Sequence, residues 1–414
     1  MKLCFIADAR SPIARSWIDY FISRGHEVAI ISTYRLEEGS YPNASVNEIT
    51  SRLNRRAKSN DNECRRGLLA RWTDAMRTGQ CADLIFRLQH RAEELDISRR
   101  TRLINALLRE IQPDLVHAMR LPFEGIMAAR SDPSVPLVVS IWGNDLTLFA
   151  RRFRWTRRES LRALGRVDAL HCDCERDLKL AREMGFGMQK PSVVLPGCGG
   201  VRIGLFGRRC GDDFAVRRRF DIPDGVPLVC NPRGFRAYVR NDTFFRSVAY
   251  TSTKRPDIVF AAVGMRGHPI AERWVSSLGI HANIRLLPTL SRHEMAALLR
   301  TSDVMISPSE HDGTPNTLLE SMTAGAFPVV GDIESVAEWI QNGVNGSLEP
   351  PSDPNRFAEA ILNAIANPAL RQSAAVINRR VVEERAEYGS CMAKAETFYH
   401  RLFHKSQMKW ASGF

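Results

Sequence analysis

The feature that most constrains this chain is the alternation of short, wholly apolar segments with segments of helical periodicity. Near the N-terminus an apolar run at residues 3–7 precedes a segment in which Pro12 opens a helix and Trp17 and Phe21 share one face. A second apolar run follows at 28–32. Strand, helix and strand at this spacing form a βαβ unit, which requires parallel pairing.

Segments of the same kind recur along the chain. The strand-like runs lie at 114–118, 137–141, 169–172, 228–231, 258–263, 284–287, 304–307 and 327–330. Between the two series, residues 193–201 hold one proline and three glycines, which is typical of a linker. The chain is therefore predicted to be α/β, with two doubly wound, Rossmann-like domains at 1–196 and 197–384 and a ligand in the cleft that they face.

The positive charge of the chain is uneven. The net charge is +12, and residues 51–109 alone hold 14 Lys/Arg against 7 Asp/Glu, which predicts a basic helical insertion. Either a solvated face or an anionic membrane surface would account for this excess. A nucleic-acid partner is not expected, because no recognition motif accompanies the arginines. No apolar run reaches the roughly 18–20 residues that span a bilayer, so we expect a cytoplasmic protein, with peripheral attachment to the inner face of the membrane left open.

No cofactor is expected, and no metal. The nine cysteines are scattered and are typical of buried thiols. His171, Cys172 and Cys174 lie close in sequence, but no second ligand pair at zinc spacing accompanies them.

Residues 307–330 carry the most specific chemical signal. A strand leads to the turn Asp312-Gly313, Thr314 is predicted to cap the following helix, and Pro315 is predicted to occupy its first position. A helix N-terminus after a glycine turn presents free N–H groups to an anion, here a diphosphate. Asp312 and Glu320 are acceptor groups suited to sugar hydroxyls.

This stretch resembles the signature of the retaining glycosyltransferases of family 4, which have the GT-B fold. The residues that carry the resemblance are Asp-Gly-Thr-Pro-Asn-Thr-Leu-Leu-Glu-Ser-Met-Thr-Ala-Gly at 312–325, with Asp312 in place of the usual Glu. The variant is similar to a subgroup found in bacterial surface-polysaccharide clusters. The resemblance implies a last helix, within 385–414, that returns to the first domain.

The resemblance also assigns site residues. It implies catalytic roles for Asp312, Arg233, Arg240 and His117, the last with an equally weighted structural alternative. The implied donor-binding residues are Arg236, Gly264, Gly313, Thr314, Pro315, Asn316, Thr317, Leu318 and Glu320. On the acceptor side they are Arg10, Ser11, Arg120, Asn144 and Asp145. The loop at 7–12 lacks the paired glycines of many relatives, and Arg10 or Ser11 would supply the contacts instead.

The function implied is transfer of a sugar from a nucleotide-sugar donor, without a metal, to a glycan, lipid-linked or small-molecule acceptor. The leaving diphosphate would take the acceptor's proton, and the arginines and helix N–H groups would stabilise its charge. Two alternatives stay open: an inactive nucleotide-sugar-binding or scaffold protein, and a nucleotide-sugar epimerase of the same fold. A phosphorylase would need a cofactor lysine and a far longer chain.

Overall fold

The computed structural model describes residues 1–51, 82–207, 213–236 and 238–411. Within them, contacts divide the chain into two compact units. Unit 1 comprises Met1–Cys172, Leu178–Val193 and Ala395–Phe414, and unit 2 comprises Asp173–Asp177 and Val194–Lys394. The short segment Asp173–Asp177 thus groups with unit 2, although it precedes the linker in sequence.

Each unit is built around a sheet. The strands are β1 (Lys2–Ala7), β2 (Glu27–Ser32), β3 (Ser45–Glu48), β4 (Leu115–Ala118), β5 (Leu137–Ile141), β6 (Ala169–Cys172), β7 (Ser192–Val194), β8 (Leu228–Asn231), β9 (Val259–Ala262), β10 (Ile284–Leu286), β11 (Val304–Ser307), β12 (Phe327–Gly331) and β13 (Ser347–Glu349). The first sheet has the order β3-β2-β1-β4-β5-β6-β7 and the second β10-β9-β8-β11-β12-β13.

Helices connect the strands. They are α1 (Pro12–Ser23), α2 (Ala82–Ile111), α3 (Ile126–Ser131), α4 (Ala150–Arg152), α5 (Arg154–Arg166), α6 (Glu175–Glu183), α7 (Ile203–Phe206), α8 (Ala215–Arg219), α9 (Asn241–Lys254), α10 (Pro269–Leu278), α11 (Arg292–Arg300), α12 (Asn316–Ala324), α13 (Glu334–Ala337), α14 (Pro354–Ala366), α15 (Pro368–Arg385) and α16 (Tyr388–Ala411). A kinked turn at Leu121–Gly125, in which Pro122 and Phe123 have non-helical backbone angles, precedes α3. A π-helical turn at Asp145–Phe149 precedes α4.

The prediction of two Rossmann-like α/β domains is confirmed. Strands β4, β5, β6, β8, β9, β11 and β12 are buried along their whole length. A parallel sheet covered by helices on both faces requires this, and it explains why these strands read as continuous apolar runs. Local signals set the helix ends: Pro12 begins α1, and Gly279, in the left-handed region at φ 65°, ends α10.

Two features of the described chain bear on the predicted insertion and on the last helix. Of the basic stretch 51–109, residues 52–81 lie outside the described residues, and residues 82–109 belong to the long helix α2. Helix α16 begins among residues of unit 2 and continues among residues of unit 1, the change falling at Ala395. Across the described chain, no helix is both long enough and apolar enough to cross a bilayer.

Candidate functional site

The predicted donor-side residues gather at one edge of the second sheet. Arg233 follows β8, Gly264 follows β9 and Asp312 follows β11, so all three lie beyond the carboxyl ends of neighbouring parallel strands. From β8 the chain first adds β9 and β10 on one side, and it then returns to add β11 on the other side of β8. The order of the strands therefore reverses between β8 and β11. In open α/β sheets the crevice at such a reversal is where ligands bind.

Asp312 and Arg233 form the centre of this site. Arg233 donates from Nη2 to Asp312 Oδ2 at 2.5 Å and from Nη1 to Thr317 Oγ1 at 3.2 Å. The two side chains are only 7% and 15% exposed. Burial raises the pKa of the Asp312 carboxyl, against the opposing charges of Arg233 and Arg236. A buried carboxylate beside one guanidinium can accept hydrogen bonds from hydroxyls and oppose a developing positive charge.

The turn around Gly313 rests on the segment Asp173–Asp177, which sequence reasoning missed as a functional element. Arg176 Nη1 donates to the Asp312 carbonyl oxygen at 2.7 Å, and Ser335 Oγ donates to the same oxygen at 2.8 Å. A Cβ on Gly313 would lie 2.1 Å from Asp173 Oδ2, so any larger residue there requires the buried Asp173 side chain to move. The available signal was a polar run, Asp-Cys-Glu-Arg-Asp, directly after the end of a buried strand.

Buried charges hold that segment in place. Arg176 pairs with Asp177 at 2.6 Å, and burial together with the nearby Asp177 raises the pKa of Asp173 well above its usual range. The carboxylate of Glu338 accepts from the backbone N–H groups of Glu175 and Arg176, both at 3.0 Å, at the start of α6. Burial raises the pKa of Glu338 despite these hydrogen bonds. The turn before α12 is therefore supported by a buried network of ion pairs and hydrogen bonds.

The predicted start of α12 was wrong by one residue. Pro315 is the N-cap and the helix begins at Asn316. Thr314 does not cap the helix, because its hydroxyl donates to the Asp173 carbonyl and accepts from Trp339 Nε1 at 3.1 Å. The contact with Asp173, which is distant in sequence, therefore replaces the local hydrogen bond by which Thr314 would cap α12.

The first turn of α12 still presents donors. Among the described residues, no protein group accepts from the backbone N–H of Asn316 or Thr317. Leu318, predicted to bind the donor, donates its N–H to the Pro315 carbonyl and buries its side chain in the core of unit 2. Two consecutive free N–H groups at the positive end of a helix dipole suit an anion.

Glu320 is the fifth residue of α12, and its side chain is 13% exposed. Burial raises its pKa to about 7, and Arg292, 4.0 Å away, only partly offsets this. Cys198 lies nearby and donates from Sγ to Asn316 Oδ1 at 2.8 Å. Burial raises the pKa of this thiol to about 12, so it stays protonated.

The two remaining arginines have partners of their own. Arg240 pairs with Asp242 at 2.8 Å and Glu310 at 2.6 Å, and Arg236 donates to Tyr238 Oη at 2.8 Å. The hydrogen bonds that Arg240 donates to these carboxylates raise its pKa. A phosphate would have to compete with these acceptors for the guanidinium of Arg240. Gly264 adopts φ 71°, which confirms a glycine turn after β9.

Unit 1 brings some acceptor-side residues together. Arg120 Nε donates to Asp145 Oδ1 at 3.0 Å, and the fully buried Asp145 also accepts from the Trp142 N–H at 3.0 Å. Asn144 precedes the π-helical turn Asp145–Phe149 as its N-cap, without a side-chain cap.

Arg10 and Ser11 lie in the loop after β1. Arg10 pairs with Asp8 at 2.9 Å and stacks on Tyr34, with its guanidinium carbon 3.8 Å from the ring centroid. The Ser11 N–H donates to the Asp8 carbonyl, and Ser11 precedes α1 without a side-chain cap. Half of the Arg10 side chain remains exposed and available to a ligand.

His117 lies in the core of unit 1. It is completely buried, Nε2 is 2.8 Å from Ser140 Oγ, and Nδ1 is hydrogen-bonded to Tyr399 Oη. Ser140 Oγ continues the chain to His171 Nδ1 at 2.9 Å. Burial and the neighbouring His171 hold the pKa of His117 well below its usual range. This placement favours the structural interpretation of His117 over the catalytic one.

Solved structures of low sequence identity share the fold. A sucrose-phosphate synthase from Thermosynechococcus elongatus aligns with a TM-score of 0.76 and 13% identity over 98% of this chain and 100% of its own. Anabaena HepE in complex with UDP aligns with a TM-score of 0.71 and 14% identity over 96% of this chain and 99% of its own.

Two family models match successive parts of the sequence. "Glycosyl transferase 4-like domain" matches residues 11–197, and "Glycosyl transferases group 1" matches residues 212–380. Between them they match most of the chain. The chain belongs to the GT-B glycosyltransferases.

Curated relatives align with this GT-B glycosyltransferase over less than half of their length. A D-inositol 3-phosphate glycosyltransferase from Streptosporangium roseum is 25% identical over 193 residues, which is 44% of this chain and 43% of the relative. An alpha-D-kanosaminyltransferase from Streptomyces kanamyceticus is 21% identical over 158 residues, which is 38% of this chain and 41% of the relative.

Proposed function

We propose that this chain is a retaining, metal-independent hexosyltransferase that uses a nucleotide-sugar donor. The observation that carries the proposal is the contact of Arg233 with Asp312 and Thr317 at the carboxyl edge of the second sheet, where the helix that holds Glu320 begins. UDP and UDP-glucose in HepE crystals, and the glycosyltransferase names of the curated relatives, support the donor class.

We expect residues of this site to stabilise the charges that develop during transfer. As the glycosidic bond to the diphosphate breaks, negative charge grows on the leaving oxygen and positive charge on the sugar ring. Arg233 and the free N–H groups of Asn316 and Thr317 would stabilise the diphosphate. Arg240 would join them after exchanging a carboxylate for phosphate. Asp312 would bind donor-sugar hydroxyls and oppose the positive charge, and Glu320 would bind the ribose.

Replacement of Asp312 tests this assignment. We expect Asp312→Asn to lower kcat for sugar transfer by about 10²–10³-fold, because an amide cannot oppose the charge on the sugar. The donor is found by thermal-shift screening against UDP-, GDP-, ADP- and dTDP-sugars, and transfer is then measured with that donor. The matched control is Asp257→Asn, whose carboxylate pairs with Arg255 at the surface of the same unit.

The outcome also separates the alternatives. A scaffold protein would bind the donor, and neither the natural chain nor the Asn variant would turn it over. An epimerase would change the nucleotide sugar with no acceptor present. Inversion at the anomeric carbon of the product, seen by NMR, would contradict the retaining assignment. Loss of transfer in EDTA that Mg²⁺ or Mn²⁺ restores and Zn²⁺ does not would contradict metal independence.

We further propose that unit 1 attaches to an anionic membrane surface that holds a lipid-linked acceptor. The supporting observation is an arginine face on and before α5. Its exposed members are Arg151, Arg152, Arg154, Arg157, Arg158, Arg162 and Arg166. Glu159 is the one acid between 151 and 166 and is buried in ion pairs, while Leu161 is 41% exposed. Each arginine near an anionic surface contributes about 1 kcal/mol.

Vesicle co-sedimentation tests the attachment. The natural chain should pellet with phosphatidylglycerol-containing vesicles at low salt and not with pure phosphatidylcholine. Arg154→Glu/Arg157→Glu should weaken binding at least tenfold. Arg273→Glu/Arg380→Glu makes the same charge change on exposed residues of unit 2 and should bind as the natural chain does. Equal loss of vesicle binding in both double variants would indicate an effect of net charge alone. That result would contradict the assignment of the arginine face as the membrane-binding surface.

A further inference from the structure

A cluster of metal-ligating side chains in unit 1 lies outside the donor site. It consists of His26, between α1 and β2, and of Glu396 and His400, which are four residues apart on α16. Residues at this spacing lie on one face of a helix. One ligand atom from each of the three residues lies within 4.8 Å of the others. Such a spacing requires only small side-chain movements to place the three atoms around one ion.

His26 is held at the buried side of the cluster. Its side chain is 7% exposed, and Nε2 is 2.9 Å from Glu396 Oε1. Its other ring nitrogen, Nδ1, is buried and has no hydrogen-bond partner among the described residues. The rings of His26 and His400 have centroids 6.0 Å apart. Nε2 is therefore the ring nitrogen that faces Glu396, and it is the atom that an ion between the two side chains would bind.

Glu396 is oriented by neighbours that use only one of its oxygens. Tyr20 Oη donates to Oε2 at 3.1 Å and Arg24 Nε to the same oxygen at 3.3 Å. Burial raises the pKa of Glu396, but the hydrogen bonds from His26 and Tyr20 and the charge of Arg24 together hold it below its usual value. The carboxylate is therefore ionised at neutral pH, and Oε1 faces His26.

We propose that His26, Glu396 and His400 bind one divalent transition-metal ion, for which Zn²⁺ is the best fit. Two imidazoles and one carboxylate are a ligand set that zinc accepts, with the fourth position open to water. On binding, the ion takes the place of the proton between His26 and Glu396. None of the three residues belongs to the proposed transfer site, and the bound ion would join α16 to the turn between α1 and β2.

Titration of the full chain with zinc sulfate, followed by calorimetry, tests the site. The natural chain should bind one Zn²⁺ at this site, and His400→Ala should weaken that binding by about tenfold or more, since it removes one of three ligands. His400 is exposed, so its removal leaves the fold intact. The matched control is His404→Ala, an exposed histidine one turn further along α16, which should bind as the natural chain does.

Two further readouts make the result decisive. Co²⁺ in place of Zn²⁺ should give a visible spectrum of nitrogen and oxygen ligation in the natural chain, and Glu396→Gln should abolish it. Saturating Zn²⁺ should raise the Tm of the natural chain but not of His400→Ala. Absence of stoichiometric binding, or binding that survives both His400→Ala and Glu396→Gln, would overturn the proposal. These readouts need no sugar transfer, so they stand apart from a failure of the proposed activity.

Discussion

Burial changes the chemistry of individual acids at the site. Glu320 is an ordinary helix acid in the sequence, yet in the fold its pKa rises to about 7 because its carboxyl is buried and the charge of Arg292 only partly offsets the burial. Near neutral pH this side chain is partly protonated and can donate as well as accept a hydrogen bond. The spacing of Asp312 and Glu320 predicted two acceptors, and the fold makes one of them a titrating group.

The raised pKa of Glu320 predicts that the free energy of unfolding depends on pH. Between about pH 4.5 and 7 the folded chain keeps a proton that the unfolded chain releases, so this group's contribution to stability falls as pH rises. Above pH 7 the full loss of stability from ionising the buried Glu320 is present. We expect Glu320→Gln to raise the free energy of unfolding at pH 8 by about 2–3 kcal/mol and to leave it nearly unchanged at pH 4.5. Urea denaturation at both pH values measures this.

The control for that experiment is Glu359→Gln, on a side chain that is 51% exposed. It should show no comparable difference between the two pH values. Equal stabilities of Glu320→Gln and the natural chain at pH 8 would contradict the assigned cause.

At the scale of elements, strong local signals in the sequence were sufficient to predict most strands and helices. The runs at 137–141, 169–172, 228–231 and 304–307 coincide with β5, β6, β8 and β11. The edge strand β3, Ser-Val-Asn-Glu, was missed because it is mostly exposed and carries no apolar run. An edge strand is specified by pairing with its neighbour, here β2, and pairing leaves little trace in periodicity.

The turn that leads into α12 supplies an element-scale prediction. Gly313→Ala should destabilise the chain by about 1–3 kcal/mol and weaken nucleotide binding, because the new Cβ would overlap Asp173 Oδ2. Gly204→Ala is the control, since a Cβ there meets no atom within 4 Å and alanine favours the helix α7. Chemical denaturation and nucleotide titration measure both variants. Unchanged binding by Gly313→Ala would show that the support from Asp173 is dispensable.

On the scale of the whole molecule, each unit contains residues from distant parts of the chain. Unit 2 takes in Asp173–Asp177, and unit 1 takes in the chain from Ala395 onward. Tyr399 stacks on Phe21, with ring centroids 4.8 Å apart, and its hydroxyl is bonded to His117. The last helix therefore completes the core of unit 1 from Ala395 onward, as the family resemblance implied.

Removing that hydroxyl should affect stability and leave donor binding unchanged. Tyr399→Phe leaves His117 Nδ1 buried without its partner, so we expect a loss of about 1–2 kcal/mol in urea denaturation. Nucleotide affinity should stay the same, because the donor-side residues belong to unit 2. Tyr250→Phe, on a partly exposed tyrosine, is the control and should cost less than about 0.5 kcal/mol. A fall in nucleotide affinity on Tyr399→Phe would contradict this separation.

The sequence by itself determined the two α/β series, the positions of Arg233, Gly264 and Asp312 just after their strands, and the glycine turn with its helix. These depend on periodicity and on neighbours within a few residues. Only the tertiary structure decided that Thr314 bonds to Asp173 and not to its own helix, that Arg176 supports Asp312, and that His117 is enclosed by Ser140 and Tyr399. Those partners lie more than 20 residues away in sequence, and burial, which sets the pKa values of Asp312 and Glu320, exists only once distant segments have packed together.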